Sequence, residues 1–135
     1  MLWYLQPHMR MVIYLVHDMS KELCLLYAFH VVPSSPPNNV SVGNITSTSF
    51  LVMWQTVPVI DMNGNITLYD VEYTQTTLSD ATMPVIITVD SSTRTLELNG
   101  LEEYAEHSVR VRAYTSIGAG PYSDVLNITT NEDGV

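Results

Sequence analysis

The sequence predicts an all-β protein, a two-sheet sandwich of seven short antiparallel strands. Three observations point to it. Apolar residues recur at every second position in short runs after residue 38. Turn-forming residues separate the runs. No stretch sustains the 3.6-residue period of an amphipathic helix.

The runs follow in order. Asn39-Val-Ser-Val42 alternates, and Phe50, Val52 and Trp54 alternate with Leu51, Met53 and Gln55. Tyr69, Val71 and Tyr73 alternate with Asp70 and Glu72. Met83 to Val89 is rich in β-branched residues, and Leu96 and Leu98 flank Glu97. Val109, Val111 and Ala113 alternate with Arg110 and Arg112, and Leu126 and Ile128 flank Asn127. Asn63-Gly64, Asn99-Gly100 and Gly118-Ala-Gly120-Pro121 supply turns, because glycine and asparagine tolerate positive φ and proline cannot donate to a sheet. The alternation predicts a core around Trp54, Tyr69, Val71, Val109 and Val111.

The 135 residues suffice for one such domain and a tail. Residues 38–130 are expected to form the domain, 33–37 a Pro/Ser linker and 131–135 a tail. Residues 1–32 are expected to be an irregular apolar leader outside any folded domain. Within it Asp18, Lys21 and Glu22 interrupt two apolar runs. Charges at the centre of a span cost roughly 2.5–3.5 kcal/mol each, which argues against one membrane helix. Counted from Met19, Lys21 and the run Leu23 to Val32 have the form of a signal-like segment, with Val32-Pro33-Ser34 as a cleavage site. Cys24 is the single cysteine, so no disulfide framework is available.

The net charge of −9 falls wholly after residue 32, where three arginines face twelve acids. Phosphate binding needs a basic face, so nucleic acid and anionic membrane surfaces are poor partners. Catalytic chemistry is equally unsupported. His107 is the one histidine after residue 32, and neither a Gly-x-Ser-x-Gly nor a His-Glu-x-x-His motif occurs. The acidic pair Glu102 and Glu103 reads as a solvated turn. No catalytic, metal or cofactor-binding residue is expected. Asp61, Asn63, Asn65 and Glu72 have the spacing of a calcium loop, but its sixth position needs glycine and is Ile66 here.

These runs and turns resemble a fibronectin type III domain, an immunoglobulin-like sandwich. Pro36-Pro37-Asn-Asn-Val40 resembles the family's opening, and Ser49 to Trp54 its second strand with the core tryptophan. Asn63-Gly-Asn-Ile66 with Tyr69-Asp-Val-Glu-Tyr73 resembles the third strand. Asn99-Gly-Leu101 before Val109 to Ala113, and Gly118 to Asp124, resemble the later ones. One position departs: six residues after Leu101, where the family has its corner tyrosine, stands His107. The Arg-Gly-Asp motif and the Trp-Ser-x-Trp-Ser motif of the family are both absent.

The resemblance implies a non-catalytic extracellular module that binds protein in a cell-surface receptor or adhesion protein. The alternatives are a spacer in a tandem array, or an ectodomain fragment of a receptor tyrosine phosphatase or kinase. The implied partners are another protein or adjacent domains of the same kind. Membrane association would come only through other parts of a parent protein, and no cofactor is implied.

Four sites fit the N-glycosylation pattern: Asn39, Asn44, Asn65 and Asn127. Chance placement would give roughly 1.5. Asn39 and Asn127 are expected to point to solvent from edge strands. If Phe50, Val52 and Trp54 face inward, Leu51 and Met53 face outward, which makes them the candidate interface. Asp70 and Glu72 are expected to face Arg110 and Arg112 across neighbouring strands. A buried His107 is expected to have a lowered pKa.

Overall fold

The computed structural model describes residues 10–17, 23–76 and 83–132. All seven expected strands form. They are β3 (Asn38–Gly43), β4 (Phe50–Gln55), β5 (Leu68–Gln75), β6 (Val85–Asp90), β7 (Thr95–Leu98), β8 (Glu106–Tyr114) and β9 (Leu126–Thr129). A three-stranded sheet runs β3-β4-β7 and a four-stranded sheet β6-β5-β8-β9, with antiparallel pairing throughout. Each sheet turns one face inward. Phe50, Val52, Trp54 and Leu98 meet Tyr69, Val71, Val109, Val111, Ala113 and Ile128 in a single buried cluster. The five expected core residues all lie within it.

The stretch 1–32 differs from the irregular leader expected. Arg10–His17 (β1) and Leu23–His30 (β2) pair antiparallel from Arg10↔His30 to His17↔Leu23. The physical reason is that each run is eight residues long and largely apolar, with five residues between them, so local pairing satisfies their backbone groups. Residues 1–9 and 18–22 of that stretch, and 133–135 of the tail, lie outside the described residues.

The Pro/Ser segment is fixed to the sandwich. Val31 N donates to Asn63 O at 3.1 Å and Ser34 N to Asp61 O at 2.9 Å. Thr115 Oγ1 donates to Val31 O at 2.9 Å. Pro33 is fully buried against Gly120, where an added Cβ would lie 2.8 Å from the proline ring. Only glycine permits that approach. One helical turn, α1 (Val59–Met62), follows β4 and ends at Asn63, whose φ of 57° is the left-handed cap conformation.

The chain therefore enters the sandwich beside Asn63 and Thr115. It leaves beside Thr46, where Asn131 N donates to Thr46 O at 2.9 Å and Asn131 Nδ2 to Ile45 O at 2.9 Å. β8 runs between these two ends, with Ala105 bonded to Thr130 at one and Tyr114 bridged to Ala119 at the other.

Candidate functional site

Two outer faces and one buried ring define what this domain can do. The first face lies on the four-stranded sheet. The register sets Asp70 opposite Arg112 and Glu72 opposite Arg110, as expected from the alternation. Arg110 Nε donates to Glu72 at 2.5 Å, and Arg112 donates to Asp70 Oδ2 through Nε at 3.2 Å and Nη2 at 3.1 Å. Asp70 also accepts from Tyr114 Oη and from Thr88 Oγ1, each at 2.7 Å.

The sequence did not reveal the cover over this ladder. Tyr122 lies under both guanidinium groups, 4.0 Å from Arg110 and 4.5 Å from Arg112. Such contacts are attractive because the ring face is electron-rich. The segment after the Gly-Pro turn runs beside β8, with Gly120 N bonded to Ala113 O and Ser123 N to Val111 O, which places Tyr122 between the two arginines. Burial raises the Tyr122 phenol above its usual pKa, so it stays neutral. Two of the domain's arginines are thus consumed internally, and both acids are buried. This face holds the sheet together and offers little to a ligand.

The second face lies on the three-stranded sheet. Leu51 and Met53 are half-buried on the side away from the core, beside exposed Ser41, Thr95 and Glu97. The Met53 methyl lies over Gly43, 3.1 Å from where a Cβ there would be. Together they form a low apolar strip in a polar surround. The largest apolar exposures lie elsewhere: Val59 and Ile60 on α1, Met83 before β6, and Tyr104 and Val125 before β8 and β9.

All four sequon asparagines are exposed. Asn39 and Asn127 lie on β3 and β9, each at the edge of its sheet. Asn39 and Asn44 both have positive φ, 51° and 48°, and Asn39 sits in a bulge between Asn38 and Ser41. The calcium-like residues serve another purpose. Asp61 accepts from Ser34 and Ser35, and Asn63 Nδ2 donates to Val32 O. They anchor the entering chain. No metal-ligand cluster occurs among the described residues.

His107 occupies the corner position and is buried, 1% exposed. Its Nδ1 lies 3.1 Å from Ala105 O, and its ring meets Phe50 at 5.9 Å. The carbonyl requires a proton on Nδ1, which leaves Nε2 free of one in the neutral ring. Burial lowers the pKa of His107 below the usual imidazole value, against smaller raising effects from Ala105 and Glu102.

Comparison with known proteins agrees with this geometry. The fibronectin type III domain family matches residues 35–129. The chain belongs to that family. Receptor-type tyrosine-protein phosphatase F of Danio rerio is 36% identical over 101 residues, 75% of this chain and 5% of that protein. Protein sidekick-1 of Gallus gallus is 39% identical over 104 residues, 76% of this chain and 5% of that protein. Cell adhesion molecule DSCAML1 of Gallus gallus is 35% identical over 102 residues, again 76% and 5%. The chain thus spans about one-twentieth of the length of these relatives. Among solved structures, the third fibronectin III domain of human KIAA0343 protein aligns with a TM-score of 0.68 at 28% identity, covering 77% of this chain and 87% of that one. The FN5 domain of Drosophila Lar aligns at 0.60 with 25% identity, covering 74% and 98%.

Proposed function

We propose that residues 38–130 are an extracellular, non-catalytic binding module of a cell-surface receptor or adhesion protein. The observation that carries this reading is the match of one sandwich, over about 100 residues, to several receptor and adhesion proteins at once. The chain enters and leaves at opposite ends of β8, which suits a domain linked in series with others of its kind. Such a module works by holding a rigid surface in place. No helix among the described residues is long and apolar enough to cross a membrane.

The surface we assign to a protein partner or a neighbouring domain is the Leu51/Met53 strip. The opposite face is closed by its own charge pairs, whereas among the described residues the strip has no internal partner of matching chemistry. The test is Leu51→Ser with Met53→Ser in the full parent protein, read as adhesion or partner binding and as interdomain rigidity. Loss of either with an unchanged melting temperature supports the assignment. If neither changes, while deletion of the whole domain does alter reach, the domain is a spacer.

A further inference from the structure

The sequence holds two Asn-Gly pairs, Asn63-Gly64 and Asn99-Gly100, and neither is a sequon. Besides making turns, this dipeptide carries a chemistry of its own. The asparagine side chain is an amide electrophile, and the next backbone nitrogen can close a five-membered ring on its Cγ. Glycine hinders that closure least, because it has no Cβ to shield its own nitrogen. Asn44, Asn65 and Asn127 are each followed by isoleucine and Asn39 by valine, whose branched side chains crowd the attacking nitrogen.

The fold treats the two pairs in opposite ways. Asn63 Nδ2 donates to Val32 O at 3.1 Å, and Asn63 O accepts from Val31 N at 3.1 Å. The residue also caps α1, half-buried, with φ 57° and ψ 24°. For the ring to close here, the side chain must leave Val32 and the peptide must turn. Both movements peel the entering chain from the sandwich.

Asn99 and Gly100 are exposed, between β7 and β8. Among the described residues, neither the Asn99 side chain nor the Gly100 amide makes a hydrogen bond. A Cβ added at Gly100 would meet nothing within 4 Å, so the space over this peptide is open to the side chain and to water. The chain is fixed on either side, by the pairing of Leu98 with Phe50 and by the bond from Leu101 N to Thr48 O at 2.9 Å. The free peptide unit is the one that the reaction uses.

We infer that Asn99 is a site of spontaneous deamidation, with water as the co-reactant, and that the fold protects Asn63 from the same reaction. Hydroxide takes the Gly100 amide proton, and the nitrogen attacks Asn99 Cγ. The N–Cγ bond forms, the Cγ–Nδ2 bond breaks, and ammonia leaves with a proton taken from water. Water then opens the succinimide. Cleavage of the new N–Cγ bond gives aspartate, and cleavage of the original peptide C–N bond gives isoaspartate. Nothing is oxidised or reduced. Either product adds one negative charge to the −9 of the chain, in a stretch that already carries Glu97, Glu102 and Glu103. Isoaspartate also lengthens the backbone by one carbon, next to the bond that ties Leu101 to Thr48. The β7–β8 loop thus records the age of the molecule in its charge and its geometry.

The experiment ages the full chain in mildly alkaline buffer, once folded and once in guanidinium chloride. Mass spectrometry follows the peptides that span each Asn-Gly pair, with electron-transfer fragmentation to identify isoaspartate. In the denatured chain both pairs are free, so they should convert at similar rates. In the folded chain Asn99 should convert at least about tenfold faster than Asn63, because reaction at Asn63 waits for local opening. Both aspartate and isoaspartate should appear at Asn99, and lower pH should slow their formation. Similar rates at the two sites in the folded chain overturn the proposal. So does an Asn99 that stays intact when folded while it converts in denaturant, or a conversion that yields no isoaspartate. The inference does not depend on the extracellular reading or on the Leu51/Met53 assignment.

Discussion

His107 holds the carbonyl oxygen of Ala105, two residues upstream, with its Nδ1 at 3.1 Å, and so performs with an imidazole the backbone tie that the family makes with a phenol. The two rings differ in one respect that matters: the imidazole titrates near neutrality. Its folded-state pKa is lowered by burial, while in the unfolded chain it is about 6.5. The unfolded state therefore binds more protons just below that value. Its stabilising contribution is complete above about pH 6.5 and is lost as pH falls from there through the folded-state pKa. Melting temperatures of the native chain and His107→Tyr at pH 5 and 7.5 test this. The native chain should lose more between the two pH values than the variant, and equal losses would refute the buried switch.

Trp54→Ala should cost about 3–5 kcal/mol, since the ring fills the core and meets Tyr69 at 5.7 Å. Its Nε1 is the buried side-chain polar atom left without a hydrogen-bond partner among the described residues. Trp54→Phe removes that orphan along with some volume, so its cost should be much smaller, about 1 kcal/mol. Urea denaturation of both variants measures the difference. Equal costs would show that the orphan donor is satisfied in solution.

Asp70→Ala should destabilise by about 3 kcal/mol, because it leaves Arg112, Tyr114 and Thr88 without the buried acceptor they share. Glu72→Ala should cost less, since Arg110 is more exposed and keeps its stacking on Tyr122. Reversal of that order would assign the main role to Arg110.

Mass spectrometry of the chain secreted from eukaryotic cells should find glycans at Asn127 and at one or more of Asn39, Asn44 and Asn65. All four side chains are exposed. Asn39 is the most constrained, because its Nδ2 donates to Gln55 Oε1 at 2.7 Å and that bond must open before modification. Gln55→Ala should therefore raise occupancy at Asn39. Unmodified asparagine at all four sites would count against an extracellular location.

The sandwich was legible because its evidence is local. The alternation of Val109, Val111 and Ala113 against Arg110 and Arg112 fixes both strand and face, and the Asn99-Gly100 turn supplies its own positive φ at Gly100. The charge ladder followed from face assignment alone. Tyr122 did not, since no periodic rule places a residue after a Gly-Pro turn over two arginines of the preceding strand. The β1–β2 ribbon escaped because the charges between its two apolar runs were read as a break, and the pairing of Arg10–His17 with Leu23–His30 was not considered. Residues 33–37 were read as a linker from their prolines. Composition could not show that Asp61 and Asn63, 26 to 31 residues later, hold that segment down.

The anchoring of Val31 at one end of β8 and of Asn131 at the other gives the domain a mechanical character. Tension applied along the chain enters at the bonds from Val31 to Asn63 and Thr115, and leaves at those from Asn131 to Ile45 and Thr46. About 30 Å of β8 lies between these two clamps. The load therefore falls first on a few peripheral bonds. A modest pull should strip residues 31–35 from the surface and lengthen the tether before either sheet yields.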